Sequence, residues 1–167
     1  MDYEKAAAYW LEKDEGSARM GREELLAAAQ SFIAARNTCA LAAGSGDFVR
    51  CTPIEYSYYG GSFWMMSEGG LKFRALETNK NVCLAIFDPY SGFGELGGMQ
   101  VSGTAETVEP WTPEYTEFLA YRKIPQEALK KLEHPMYLIR VRPVSIDFLN
   151  SAFKKQGFDS RQHLDME

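Results

Sequence analysis

The spacing of the hydrophobic residues changes at Thr38, and this change limits the possible folds more than any other feature of the sequence. Residues 2–13 and 22–36 have helical spacing, with apolar side chains on one face. After Thr38, short runs of β-branched, aromatic and small apolar residues are separated by glycine pairs and proline. We therefore expect a mainly β domain with flanking helices, in which six strands form a closed or nearly closed antiparallel barrel.

The expected elements fit into one domain that covers residues 1–167. The six predicted strands are residues 38–43, 48–59, 62–67, 81–88, 99–109 and 136–150. Short helices are predicted at 71–78, at 112–123 and from 125 to 133, so that 113–133 is a helical insertion in a barrel spanning 38–150. Residues 1–36 form the N-terminal helices, and 151–167 are a tail. A chain of 167 residues is long enough to bury a single core.

Composition and charge exclude several classes of function. The chain has 18 Lys and Arg against 23 Asp and Glu, a net charge of −5, which argues against nucleic acid as a partner. The longest apolar run, Val82–Phe87, is too short to cross a membrane, and the N-terminus has no signal-peptide pattern, so we expect a cytoplasmic protein. Cys39, Cys51 and Cys83 lie far apart and are expected to be reduced thiols. With only two histidines, neither a metal site nor a catalytic triad is expected.

One motif imitates a nucleotide-binding site. Gly92–Gly97 has the spacing of a dinucleotide-binding glycine motif, but that motif requires a helix to begin at its end. Here a strand follows from Met99. We interpret residues 91–98 as a long, mobile hairpin loop that could cover a neighbouring site.

A candidate anion site lies between Arg50 and Lys72. Pro53 cannot donate a ladder hydrogen bond, so the strand that carries Arg50 is expected at an edge or a bulge, with backbone free to meet a flat ligand. On the next hairpin, Ser67 offers a hydroxyl and Gly69-Gly70 lets the backbone approach an anion, just before Lys72. These residues suit a phosphate group, although surface lysines and arginines are common.

The stretch from Thr38 to Thr107 resembles the pyridoxamine 5′-phosphate oxidase-related, FMN-binding split-barrel family. The resemblance rests on four features in the same order: the strand pair Thr38–Ala43 and Phe48–Tyr56, the Gly70-Leu71-Lys72 turn, Leu76–Phe87, and the strand Met99–Ala105. Ile146-Asp147-Phe148 on the last strand also fits, whereas residues 1–36 and 112–134 carry none of the resemblance.

The resemblance implies a homodimer with FMN at the subunit interface. Arg50 and Lys72 would hold the FMN phosphate, and Gln100, on a neighbouring strand, would bond to the flavin. The remaining implied contacts are the backbone of Thr52, Pro53 and Ile54 against the isoalloxazine ring, and Met65, Met66 and Ser67 along the ribityl chain and phosphate.

Several positions depart from true pyridoxamine phosphate oxidases. Glu55 stands where those enzymes have a basic residue that meets the substrate phosphate, Leu71 replaces another basic residue, and Leu149 replaces an aromatic one. Residues 150–155 contain no equivalent of the Arg and His that follow in the oxidases. Residues 63–66 also lack the histidine of the nitroimidazole-reductase relatives. We therefore do not expect oxidation of pyridoxamine phosphate.

The sequence thus predicts an FMN-binding flavoprotein, an oxidoreductase that transfers two electrons to a small organic substrate with NADH or NADPH as the possible donor. Two alternatives stay open: a non-catalytic FMN-binding or sensing module, and a relative that binds haem or a deazaflavin. No general acid or base is assigned. Arg122 and Cys51 are candidates for substrate contact.

Overall fold

The computed structural model describes residues 1–166. Its helices are α1 (Tyr3–Glu15), α2 (Arg22–Ala34), α3 (Lys72–Thr78), α4 (Pro113–Tyr121) and α5 (Gln126–Leu129), with 3-10 helices at Phe93–Glu95 and Ser151–Gln156. Its strands are β1 (Thr38–Ser45), β2 (Phe48–Glu55), β3 (Ser57–Tyr59), β4 (Ser62–Ser67), β5 (Asn81–Phe87), β6 (Gly97–Val108), β7 (Tyr137–Asn150) and β8 (Arg161–Asp165). None of the helices in these residues has the length and apolar character needed to cross a lipid bilayer.

The strands form one curled antiparallel sheet. Seven of them follow the order β2-β1-β5-β6-β7-β4-β3, and β8 pairs with β7 outside this order. The long strand β7 pairs with β6 on one side, and on its other side with β4 along its first part and with β8 along its last. Because β2 and β3, at the two ends of the order, are consecutive in the chain, the sheet curls into a half-barrel, as a split barrel requires.

The sheet has more strands than the six predicted, and the first reason lies at Tyr56. The predicted strand 48–59 breaks there into β2, which pairs with β1, and β3, which pairs with β4. Tyr56 is 3% exposed, its amide donates to the Asn37 carbonyl at 2.7 Å, and its hydroxyl donates to the Ile33 carbonyl at 2.8 Å. These bonds to the α2–β1 connection turn the chain from one end of the sheet to the other.

The second reason is β8, in the segment interpreted only as a tail. Gln162 and Leu164 point inward and are buried, whereas His163 between them is exposed. The Gln162 amide oxygen accepts from the Met20 amide at 3.0 Å, and its nitrogen donates to the carbonyls of Ala18 and Asp159. These bonds fix the C-terminal strand to the connection between α1 and α2.

Two hydrophobic clusters hold the helices on the sheet. The larger one fills the curled sheet and includes the buried face of α2, with Leu25, Ala29, Phe32 and Ile33. In the smaller one, Phe118 of α4 stacks on Trp64 of β4, with ring centroids 5.2 Å apart. In contrast, α1 contributes no buried side chain.

Candidate functional site

The turn between β4 and α3 holds a buried lysine. Lys72 is only 6% exposed, and its ammonium donates to the Gly69 carbonyl at 2.5 Å and lies over the Phe73 ring, 5.2 Å from the centroid. Within residues 1–166, no carboxylate forms an ion pair with it. Burial lowers the pKa of the ammonium, because desolvation disfavours its charged form. Buried charges in proteins are normally paired, so this lysine is suited to an anion.

The glycines of this turn are required by its backbone conformation. Gly69 has a φ of +134° and Gly70 a φ of +111°, which side chains with a Cβ rarely adopt. The Ser67 hydroxyl donates to the Gly69 carbonyl at 2.9 Å and accepts from the Gly69 amide at 3.2 Å. The turn is therefore folded tightly around the carbonyl that holds Lys72.

Strand β2 is an edge strand, as the position of Pro53 predicts. Helix α3 packs against β1 and β2 on the inner side of the sheet, where Ala75 belongs to the main core. Arg50 is exposed and forms no ion pair among residues 1–166. Three predicted site residues of β2 share this inner side, since they pair with buried residues of β1: Arg50 with Ala43, Thr52 with Leu41, and Ile54 with Cys39. The structure thus places Arg50 on the side of the sheet against which α3, the helix that begins with Lys72, also packs.

The two methionines of β4 are in different environments. Met65 is fully buried in the main core, so only its main chain remains for contact with a ligand. Met66 is half-buried and packs against the smaller cluster.

Gln100 lies apart from these residues. It is on β6, which is separated from β2 by β1 and β5, so it is not on a strand adjacent to the Arg50 strand. Pro53, Ala40, Ala85 and Gln100 form one cross-strand row on the outer side of the sheet. Three strand spacings separate Pro53 from Gln100, about 14 Å. The small side chains of Ala40 and Ala85 leave the surface between them flat.

An open pocket of about 330 Å³ adjoins Gln100. Its lining includes Phe87, Tyr90, Gln100, Asp147 and Arg161. The Arg161 guanidinium lies over the Trp10 ring of α1, 4.6 Å from its centroid, and forms no ion pair in the described part of the chain. Sequence reasoning missed this pocket, because β8 and α1 supply part of its wall.

His163 of β8 extends the same outer row. Its Nδ1 lies 2.8 Å from Asp147 Oδ1 and its Nε2 lies 3.3 Å from Asp165 Oδ1. The hydrogen bond to Asp147 is the main cause that raises the His163 pKa. Residues 150–155 contain no Arg or His, and β8 brings Arg161 and His163 beside the end of β7. The sequence offers little signal for this strand, because Leu164 is the only apolar residue among its five.

The glycine-rich loop 91–98 is anchored to the 3-10 helix that follows β7. The Ser151 hydroxyl donates to the Phe93 carbonyl at 2.9 Å and accepts from the Leu96 amide at 3.0 Å. The Ser151 amide also donates to the Leu96 carbonyl at 2.9 Å. Strand β6 begins at Gly97, so a strand and not a helix follows the motif, as predicted. The role of loop 91–98 as a lid over a neighbouring site stays a prediction.

The two candidates for substrate contact, Arg122 and Cys51, differ in whether their side chains already have partners. Arg122 forms an ion pair with Glu55 at 3.1 Å and donates to the Ser57 hydroxyl, so its guanidinium is already engaged. Cys51 is an exposed free thiol on the outer side of β2.

Residues 25–150 match the family model for pyridoxamine 5′-phosphate oxidase. A search of curated protein sequences gave no match.

Solved structures with the same fold include proteins with different ligands. A FAD-binding protein from Mesorhizobium loti has 16% identity and a TM-score of 0.60, over 72% of this chain and 89% of its own. The haem storage protein HutZ from Vibrio cholerae has 16% identity and a TM-score of 0.58, over 74% and 91%. ChuZ from Campylobacter jejuni has 14% identity and a TM-score of 0.66, over 89% and 62%. At these identities the similarity establishes the fold.

Proposed function

The chain belongs to the pyridoxamine 5′-phosphate oxidase family, and from this premise we propose that it is an FMN-binding flavoprotein that transfers two electrons to a small organic substrate. The observation that carries the proposal is the buried Lys72 ammonium without a carboxylate partner among residues 1–166. A phosphate dianion would supply the missing countercharge.

The residues around this turn fit the phosphate end of FMN. Lys72 would bind the phosphate as a point charge, and Arg50, exposed on the same side of the sheet, would add a planar guanidinium. Gly69 and Gly70 have no side chains that would block the approach of the phosphate. Among the described residues, neither cation has an ion-pair partner that the phosphate would have to displace.

From a phosphate on the inner side, FMN would pass around the free edge of β2, so that its ring would lie on the outer side of the sheet. The free edge of β2, from Thr52 to Ile54, offers main-chain groups, and Ala40 and Ala85 form a flat floor that ends at Gln100. The Gln100 amide can donate to and accept from the flavin. FMN supplies the hydride chemistry when bound, so this chain's residues need only hold and orient it.

We propose that a second copy of the chain covers this face, which gives a homodimer with FMN at the interface. A ring on Ala40 and Ala85 would have its other side exposed to water in a single chain. The pocket beside Gln100 would then receive the substrate, with NADH or NADPH as electron donor. Light scattering of the holoprotein tests the dimer, and anaerobic bleaching of the flavin by each nucleotide tests the donor.

The test of the proposed function is the absorbance spectrum of the purified protein, with mass spectrometry of the ligand that denaturation releases. We expect a flavin spectrum and FMN. The Lys72→Ala variant should purify without FMN, whereas Lys131→Ala, which removes an exposed lysine, should keep it. A Lys72→Ala protein with full flavin occupancy would contradict the phosphate site, and a wild-type protein that does not take up FMN would contradict the function.

The same measurements separate the alternatives. A protein that holds FMN but is not reduced by either nucleotide would be a binding or sensing module. Haem is the second candidate, because a structural neighbour is a haem storage protein and His163 stands, 43% exposed, beside the pocket-lining Asp147. A Soret band that disappears in His163→Ala would favour haem, and a released deazaflavin would identify that cofactor.

A further inference from the structure

We propose that Ser67 is a positioning residue that sets the affinity of Lys72 for the FMN phosphate through the Gly69 carbonyl, without touching the phosphate itself. The inference rests on the proposed function. It assigns Ser67 a different role from that of a direct ligand along the ribityl chain and phosphate.

The hydrogen-bonding capacity of the Ser67 hydroxyl is directed at Gly69. The side chain is buried, with 7% of the residue exposed. Its single proton goes to the Gly69 carbonyl at 2.9 Å, and its oxygen accepts from the Gly69 amide at 3.2 Å. No proton of Ser67 is left to donate to a phosphate oxygen, so its effect on an anion must be indirect.

The Gly69 carbonyl connects Ser67 to the ammonium. The carbonyl oxygen accepts one hydrogen bond from the Ser67 hydroxyl and another, at 2.5 Å, from Lys72 Nζ. These two bonds use both lone pairs of the oxygen. This leaves two of the three ammonium protons for an anion. A lysine stem has high rotamer freedom, so an anchor that fixes the ammonium before binding lowers the entropy lost when the phosphate arrives.

The bonds from Ser67 are needed because the Gly69 carbonyl belongs to the peptide group that joins two glycines. Gly69 and Gly70 both have positive φ values and can adopt many other conformations. A Cβ on Gly70 would lie 3.5 Å from Lys72 Nζ, so the turn and the ammonium are in close contact. Without the two bonds to Ser67, we expect the Gly69 peptide to sample other orientations and to release the ammonium.

The experiment compares FMN with riboflavin, which has the same ring and ribityl chain but no phosphate. Quenching of flavin fluorescence gives the Kd of each ligand for apoprotein prepared from the wild type, Ser67→Ala and Ser67→Thr. Ser67→Ala removes both bonds to Gly69 but no contact with the phosphate, so the FMN affinity should fall by a modest factor, about three- to tenfold. The riboflavin affinity should stay unchanged, and Ser67→Thr should keep the wild-type preference for FMN.

The outcomes separate this inference from the proposed function. If Ser67→Ala weakens the binding of FMN and of riboflavin equally, so that the full preference for FMN remains, Ser67 does not act on phosphate binding and the inference is wrong. If the wild type binds FMN no more tightly than riboflavin, the phosphate site itself is wrong. Should Ser67→Ala fail to fold, Ser67→Cys, which keeps the size and only a weak donor, is expected to lose the preference in the same way.

Discussion

The Nδ1 atom of His163 lies 2.8 Å from Oδ1 of Asp147, across the pairing of β8 with β7. A second carboxylate, that of Asp165, lies 3.3 Å from Nε2. The hydrogen bond to Asp147 is the largest cause that raises the His163 pKa, and the Asp165 contact acts in the same direction. Because β8 joins the sheet through its pairing with β7, this contact fastens β8 to the sheet.

Stability should therefore depend on the protonation of His163. Because the pKa of His163 is higher in the folded state, its protonation contributes to the free energy of unfolding. This contribution is complete below the unfolded-state pKa, about 6.5, and is lost as pH rises through the folded-state pKa. Urea denaturation of wild type and His163→Gln at about pH 5.5 and about pH 8.5 should give a larger difference at the lower pH. In Asp147→Asn, NMR titration should show a lower His163 pKa. Equal differences at both pH values would contradict this role.

The contribution of Glu106 to stability should depend on pH in the opposite direction to that of His163. Its carboxylate pairs with Arg140 and, at 2.5 Å, with Arg142, and the hydrogen bond from Arg140 is the main cause that lowers its pKa. This contribution is present above the unfolded pKa, about 4.3, and is lost as pH falls through the folded value. Glu106→Gln should be destabilised at about pH 7 and much less at about pH 3. The control is Glu109→Gln, at an exposed glutamate without an ion pair among residues 1–166.

A Cβ is not tolerated at Gly103, where the β6–β7 register shifts. It would lie 2.7 Å from the Arg142 carbonyl oxygen and 2.7 Å from Val141 Cγ1. Gly103→Ala should lower the free energy of unfolding by about 1–3 kcal/mol, because backbone and core must shift to admit it. Gly94→Ala is the control, since among residues 1–166 nothing beyond its own chain neighbours lies within 4 Å of the added Cβ. Equal denaturation midpoints for the two variants would contradict the prediction.

Short apolar runs predicted β1 and β5, because each of these strands buries one side in the core. Leu41 of β1 and Leu84 of β5 are fully buried, and the residues between such positions are not. The break at Tyr56 could not be predicted in this way. It depends on hydrogen bonds to Asn37 and Ile33, which the local pattern of residues 48–59 does not contain.

The candidate site also has a local part, which the sequence could indicate, and a part assembled from distant segments, which it could not. The turn from Ser67 to Lys72 is local, so glycines and a lysine within six residues were enough to indicate an anion site. The pocket beside Gln100 is assembled from β6, β7 and β8, and Arg161 is placed by stacking on Trp10 at the other end of the chain. The five residues of β8, four of them polar, give too weak a period to identify the strand that completes the pocket.

The preference for FMN over riboflavin should weaken with rising pH. Phosphate binding needs the Lys72 ammonium, and burial lowers its pKa from 10.5. The ratio of the two Kd values, measured from about pH 7 to about pH 11, should therefore begin to move toward one below pH 10.5, the ordinary pKa of a lysine. Riboflavin has the same ring, so ionisation of the ring cancels in the ratio. Lys72→Arg, whose guanidinium stays protonated, should keep a ratio independent of pH, and Lys72→Met should reduce the preference, at every pH, to the part that Arg50 supplies. A wild-type ratio that stays constant over this range would show that the ammonium does not titrate there and would contradict the prediction.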